Sequence, residues 1–297
     1  MDSLPLFLNQ LFNGFSLGSI YLLAALGLAL SFGLMRVINM AHGEMLMLGG
    51  YLAYLTLLVV PGLPGFLLAI PVAFAGAALV GGIIQSTLIT RLTARPLDTL
   101  LATWGISLIL QQGARDIFGA IGVEVRAPEW LSQSFTMAGL TVPSARIFII
   151  AITLLVLGAL ALILNRTRLG LCVRAVNQDR MMAAATGIEV LRVDMMVFCL
   201  GSGIAGLAGV VLALLGPVTP NVGQSYIIPA FLVVVMGGLG SIVGTTVAAL
   251  LLGLFSALAQ IFVDVSAAQM LLLLFVILFI QIRPQGVIAV RSRALDV

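Results

Sequence analysis

The chain has 297 residues, 61% hydrophobic and 8% charged, with a formal net charge of +3. A soluble globular domain does not carry so few charges over such a length. All fourteen basic residues are arginine, scattered through short polar segments without interleaved aromatics, which argues against a nucleic-acid surface.

What remains is a polytopic membrane protein. Uncharged runs cover 3–35, 45–90, 99–114, 147–164, 195–263 and 265–282. At about 20 residues per pass they hold roughly eight to ten membrane segments. The runs are far longer than barrel strands and do not alternate, so the fold is all-α, a transmembrane helical bundle forming one domain over 1–297. No positive charge precedes the first apolar run, which is therefore expected to stay as a membrane helix rather than be cleaved as a signal peptide.

The first helix is predicted over 5–34, with Gly14 and Gly18 spaced to admit a close neighbour. Then comes Arg36-Val-Ile-Asn-Met-Ala-His-Gly-Glu44, polar groups between two long apolar runs. Asn39, His42 and Glu44 sit at or inside the membrane, where each polar group needs a partner or water, so the stretch reads as a site or a gate. A second segment runs to about Val60, Pro61–Gly65 is a turn, and a third helix takes 66–90.

Leu97–Phe118 carries Thr103, Ser107 and Gln111 at i, i+4, i+8, one helical face, with Gln112 beside it. That face either borders a polar pathway or makes interhelical hydrogen bonds in a packed bundle. Residues 119–145 read as an irregular loop on the outer side. Ile147–Leu164 spans again.

Residues 165–194 hold five arginines, at 166, 168, 174, 180 and 192, which place this segment in the cytoplasm. Within it, Asn177–Thr186 reads as a short surface helix stopped by Gly187, and Ala183, Ala184 and Ala185 would leave a flat face for a partner. From Met195 to Val263 no charge occurs. The cytoplasmic preference of Arg283, Arg291 and Arg293 requires 226–262 to enter and return, so a half-helix, a break at Gly237, Gly238 and Gly240, and a returning helix are expected. Leu17–Ile20 and Leu239–Ile242 share the residues Leu-Gly-Ser-Ile, a hint of an internal repeat.

Several chemistries lack their parts. His42 and Glu44 have no second histidine and no Cys-x-x-Cys to complete a zinc site. Cys172 and Cys199 show neither disulfide nor metal spacing. Without lysine there is no P-loop, so this chain is expected to bind no cofactor, and any ATP must be used by another subunit. A stand-alone channel or ion-coupled carrier is the competing class, with Glu44 as its ionisable group.

Together, Asn13–Ile20, Val37–Glu44, Val233–Ser241 and Arg283-Pro-Gln-Gly286 resemble the permeases of the branched-chain amino acid and urea family of ABC importers, over nearly the whole chain. Met40–Met47, Gly105–Gln112, Val123–Trp130 and Pro220-Asn look most like the urea-type subunit. The resemblance implies import of urea or, alternatively, of branched-chain amino acids or amides across the bacterial inner membrane. It implies a second, homologous permease subunit, two cytoplasmic ATPase subunits and an extracytoplasmic binding protein. It also makes the 165–194 loop the ATPase-coupling segment, with Arg174, Asn177, Arg180, Ala183, Ala184, Gly187 and Arg192 as its candidate contacts. Asn39, Thr103, Ser107, Gln111 and Gln112, neutral hydrogen-bonding groups, would suit a path for urea.

Overall fold

A computed structural model describes residues 3–35, 37–92, 95–137 and 140–288. Arg36, Arg291 and Arg293 lie outside them. The helices in chain order are α1 (Ser3–Met35), α2 (His42–Val59) and α3 (Leu63–Ile84), which continues through a π-helical turn (Gln85–Ile89) into α4 (Thr90–Leu92). Then follow α5 (Pro96–Phe118), α6 (Glu129–Ser132), a hairpin of β1 (Ser134–Met137) and β2 (Leu140–Pro143), α7 (Ser144–Arg166), α8 (Arg168–Gln178) and α9 (Arg180–Ala185). α10 (Val190–Leu212), α11 (Val222–Gly237), α12 (Ile242–Ala259) and α13 (Val265–Ile282) follow.

The all-α membrane architecture expected from composition is what the chain adopts. Among the described residues, six helices are long and apolar enough to cross a membrane: Phe7–Met35, Leu63–Leu92, Ser144–Arg166, Val190–Leu212, Ile242–Ala259 and Val265–Ile282. The expected eight to ten segments also counted α2, α5 and α11. Of these, α2 opens on His42 and Glu44, α5 carries the polar face, and α11 has 16 residues, about 24 Å of helix.

Small residues let the central helices touch backbone to backbone, the main source of helix affinity where lipid removes the hydrophobic drive. A methyl group at Gly253 of α12 would fall 2.3 Å from the Gly18 nitrogen of α1, so the spacing of Gly14 and Gly18 does receive a neighbour. At Gly27 it would fall 2.2 Å from the Gly201 carbonyl oxygen of α10, and at Gly49 2.0 Å from that of Gly206. α1, α2, α10 and α12 are thereby locked together.

Contacts at the helix ends orient the bundle. Arg180 donates to the Leu34 carbonyl, and Gly33 packs on Gly240, so the α1 C-terminus, the break between α11 and α12 and the arginine-rich segment share one end. Val287 N–H donates to the Met236 carbonyl at 2.8 Å, bringing the chain after α13 to the same end. At the other end Gln10 donates to the Ala257 carbonyl, and Val123 and Val218 form an isolated antiparallel bridge. The sequence leaves the direction of α1 open; its N-terminal end lies opposite the arginines.

The break falls at the expected glycines, with φ of +99° at Gly238 and +83° at Gly240, backbone that a side chain would strain. It is level with the α1 C-terminus, and α11 and α12 form a hairpin around it. The tetrapeptide Leu17–Ile20 lies inside α1 whereas Leu239–Ile242 runs through this break, so the shared residues do not mark a structural repeat. In 119–145, read from sequence as irregular, α6 and the β hairpin appear instead, with Phe135 paired to Val142. Cys172 and Cys199 are free.

Candidate functional site

The polar stretch after α1 turns back into the bundle. Residues 37–41 are extended or turning, and α2 starts at His42 beside Ala24. Ala24 lies eleven residues before the α1 C-terminus, about 16 Å of helix, so α2 begins well inside the bundle. The peptide groups of this non-helical segment find local partners: Ala41 N–H donates to Asn39 Oδ1 at 3.0 Å, and Met40 N–H to Thr103 Oγ1 at 3.2 Å. Asn39 thus serves as a turn residue, its side chain standing in for a backbone acceptor.

His42 Nε2 lies 3.0 Å from the Ala24 carbonyl oxygen. A carbonyl only accepts, so Nε2 carries the proton and the ring is fixed in one tautomer. His42 is therefore a tie between α2 and α1.

Glu44 is the centre of the cluster. It is 1% exposed, and its Oε1 accepts from Ser107 Oγ at 2.8 Å and Gln111 Nε2 at 2.7 Å. Gln111 Nε2 also lies 3.1 Å from Ser107 Oγ. Glu44 Oε2 is buried without a hydrogen-bond partner among the described residues. Of the two readings of the α5 face, the hydrogen bonds between segments are present: Ser107 and Gln111 reach Glu44 of α2, Thr103 accepts from Met40 just before it, and all three are buried. Gln112 does not join them. One residue on, helical rotation carries it to the exposed side, where it donates to Asp116 Oδ1 at 2.8 Å.

Leu101, Trp104 and Ile109 of α5 are exposed, whereas towards its C-terminus Ala114 is buried and Leu110 and Phe118 pack on Met47 and Tyr51 of α2, with the Phe118 and Tyr51 rings stacked 4.2 Å apart. This helix is thus attached to α2 by a polar seam at Glu44 and, further along, by an apolar and aromatic contact at Tyr51.

At the arginine-rich end, the surface helix expected over Asn177–Thr186 is divided. Asn177 lies in α8, Asp179 caps α9 by accepting from Met181 and Met182 N–H at 2.9 and 3.0 Å, and α9 ends at Ala185. Gly187 N–H donates to the Ala184 carbonyl and Ile188 N–H to that of Ala183, a Schellman closure with Gly187 at φ +88°. The alanine face is corrected by burial: Ala183 packs inward, and Met181 and Met182 stand out beside Ala184 and Ala185.

Arg180 points inward as well. Its guanidinium meets both oxygens of buried Asp194, at 3.2 and 2.5 Å. Arg192 pairs with Glu189 at the surface at 2.5 Å, and Arg174 donates to the Leu164 carbonyl. The sequence reading did not single out Asp194. Its signal is an acid at the very edge of the longest uncharged run. Among the described residues, no three of His, Cys, Asp and Glu gather as a metal site.

The family described as "Branched-chain amino acid transport system / permease component" matches residues 10–281. The high-affinity branched-chain amino acid transport system permease protein BraD of Pseudomonas aeruginosa is 33% identical over 299 residues, 95% of each chain. LivH of Escherichia coli K12, of the same description, is 31% identical over 300 residues, again 95% of each. A probable branched-chain amino acid transport permease protein LivH of Methanocaldococcus jannaschii is 30% identical over 260 residues, 81% of this chain and 77% of its own. No solved structure matches significantly. The expected urea substrate finds no support in these relatives, whose names give branched-chain amino acids. With 272 consecutive residues inside the family match and six membrane-length apolar helices among the described residues, the chain belongs to the branched-chain amino acid transport system permease family, as a multi-pass membrane permease component.

Proposed function

We propose that this chain is one of two homologous permease subunits of an ABC importer in the bacterial inner membrane. It carries branched-chain amino acids delivered by an extracytoplasmic binding protein and is driven by two cytoplasmic ATPase subunits. The family match across 10–281 carries this reading. The geometry adds two supports: a buried polar seam between α2 and α5, and a helix presented beyond the arginine-rich end of the bundle.

In this reading the α2–α5 seam borders the path. Asn39, Thr103, Ser107 and Gln111 offer neutral hydrogen-bonding groups, and Glu44 offers a carboxylate for the substrate ammonium. The α8–α9 segment docks on an ATPase subunit through the Met181, Met182 and Ala184 side. Arg180, bonded to Asp194 and to the Leu34 carbonyl, passes the motion of that helix to α10 and α1. Movement between two arrangements of this kind is biased by ATP and by the loaded binding protein.

The test is reconstitution in proteoliposomes with and without the other subunits, followed by uptake of labelled leucine and, in parallel, labelled urea. Leucine should enter only with all subunits and ATP present. Uptake by this chain alone would support a free-standing carrier and overturn the proposal. Uptake of urea without leucine by the complete assembly would reject the substrate.

A further inference from the structure

We propose that a cavity at the end of the bundle opposite the arginine-rich segment binds one aliphatic α-amino acid, with Arg146 holding its carboxylate; this rests on the amino-acid reading above. The cavity measures about 290 Å³ and lies among α1, α7, α11, α12 and α13. Arg146, in the first turn of α7, lines it and is half-buried.

The charge balance is the first argument. Arg146 makes no ion pair or hydrogen bond to a described residue, and no acidic residue lines the cavity. A guanidinium does not lose its proton, so partial burial next to a bilayer favours an anionic ligand. A carboxylate matches its fork of donors and adds two parallel charge-assisted hydrogen bonds.

The remaining wall fits the rest of such a ligand. Ser225, Tyr226 and Gln269 line the cavity and make no hydrogen bond to a described side chain, so their oxygens can accept from an ammonium group. Leu17 and Val265 give an apolar surface for an aliphatic side chain. The volume sits at the lower edge of the range of small-molecule pockets, about 300–1,000 Å³, suited to a single amino acid rather than a peptide. Because the one charge in the wall is positive, the carboxylate anchors the ligand and the ammonium is secondary. A 2-oxo acid with the leucine side chain should therefore compete for the site, and an amine lacking the carboxylate should not.

The experiment uses the complete transporter in nanodiscs of phosphatidylcholine, with and without phosphatidylglycerol, and in proteoliposomes for uptake. Arg146→Gln should raise the KM for leucine at least tenfold with little change in kcat, and Arg146→Lys should recover part of the loss. In wild-type protein, 4-methyl-2-oxopentanoate should compete with labelled leucine and 3-methylbutylamine should not. An unchanged KM in Arg146→Gln overturns the site. So does competition by the amine alone, a result that decides the matter even where the variant fails to assemble. If Arg146 instead holds a lipid phosphate, phosphatidylglycerol will copurify with wild type and not with Arg146→Gln while the KM stays constant, which also overturns it. Absence of any leucine uptake by the wild-type assembly would reject the amino-acid reading itself, a result distinct from these.

Discussion

Two carboxylates lie inside this bundle in different company. Asp194, 2% exposed, faces the guanidinium of Arg180 with both oxygens. Glu44, 1% exposed, accepts hydrogen bonds only from neutral groups among the described residues, and one of its oxygens is left over. At Asp194 the charge is cancelled where it stands, and the same guanidinium reaches the Leu34 carbonyl, so the pair fastens α9 to α10 and α1. At Glu44 the hydrogen bonds come from neutral dipoles alone, and the Arg115 guanidinium of the same α5 helix acts on the carboxylate from a distance, without an ion pair among the described residues. Burial of an acid therefore does not by itself mark function. What separates a fastener from a poised group is whether a fixed countercharge completes its surroundings.

The comparison breaks first at Arg180. Removing one partner of a buried pair leaves the other charge uncompensated, and Arg180→Ala should destabilise by about 3 kcal/mol, the lower end of the usual range because Arg180 is 39% exposed. Arg180→Ala with Asp194→Ala should regain much of that loss. Thermal unfolding in detergent reads both, and a single variant as stable as wild type would remove Asp194–Arg180 as a fastener.

Glu44 should behave otherwise. Glu44→Ala strands the Ser107 and Gln111 donors at a cost of about 1–3 kcal/mol, whereas Glu44→Gln retains an acceptor oxygen and should stay within about 1 kcal/mol of wild type. Uptake by the assembled transporter should nonetheless slow about tenfold in Glu44→Gln, equivalent to about 1.4 kcal/mol. Equal destabilisation by the two substitutions, with normal uptake for Glu44→Gln, would make Glu44 a second fastener.

The smallest effect is expected at Gln112, exposed and, among the described residues, bonded only within its own helix. Gln112→Ala should change stability by less than about 0.5 kcal/mol and leave uptake unaltered. A clear loss of uptake would place the working face of α5 on its outer side and separate it from Glu44.

The helices, the break at Gly237–Gly240 and the stop at Gly187 were legible in the chain alone, because hydropathy, helical period and glycine backbone preference act within a few residues. The common face of Thr103, Ser107 and Gln111 was legible for the same reason, and simple rotation around the helix also separates Gln112 from it. The β hairpin of 134–143 was hidden, since two four-residue strands are too short for a pattern to stand out from a polar loop. That Glu44 is the partner of the α5 face, that Asp194 neutralises Arg180, and that Arg146 meets α11, α12 and α13 around one cavity were decided by tertiary structure. Each joins residues from different helices, and in a bilayer the pairing of helices follows from close packing of small residues and the completion of polar contacts, neither of which one segment can specify.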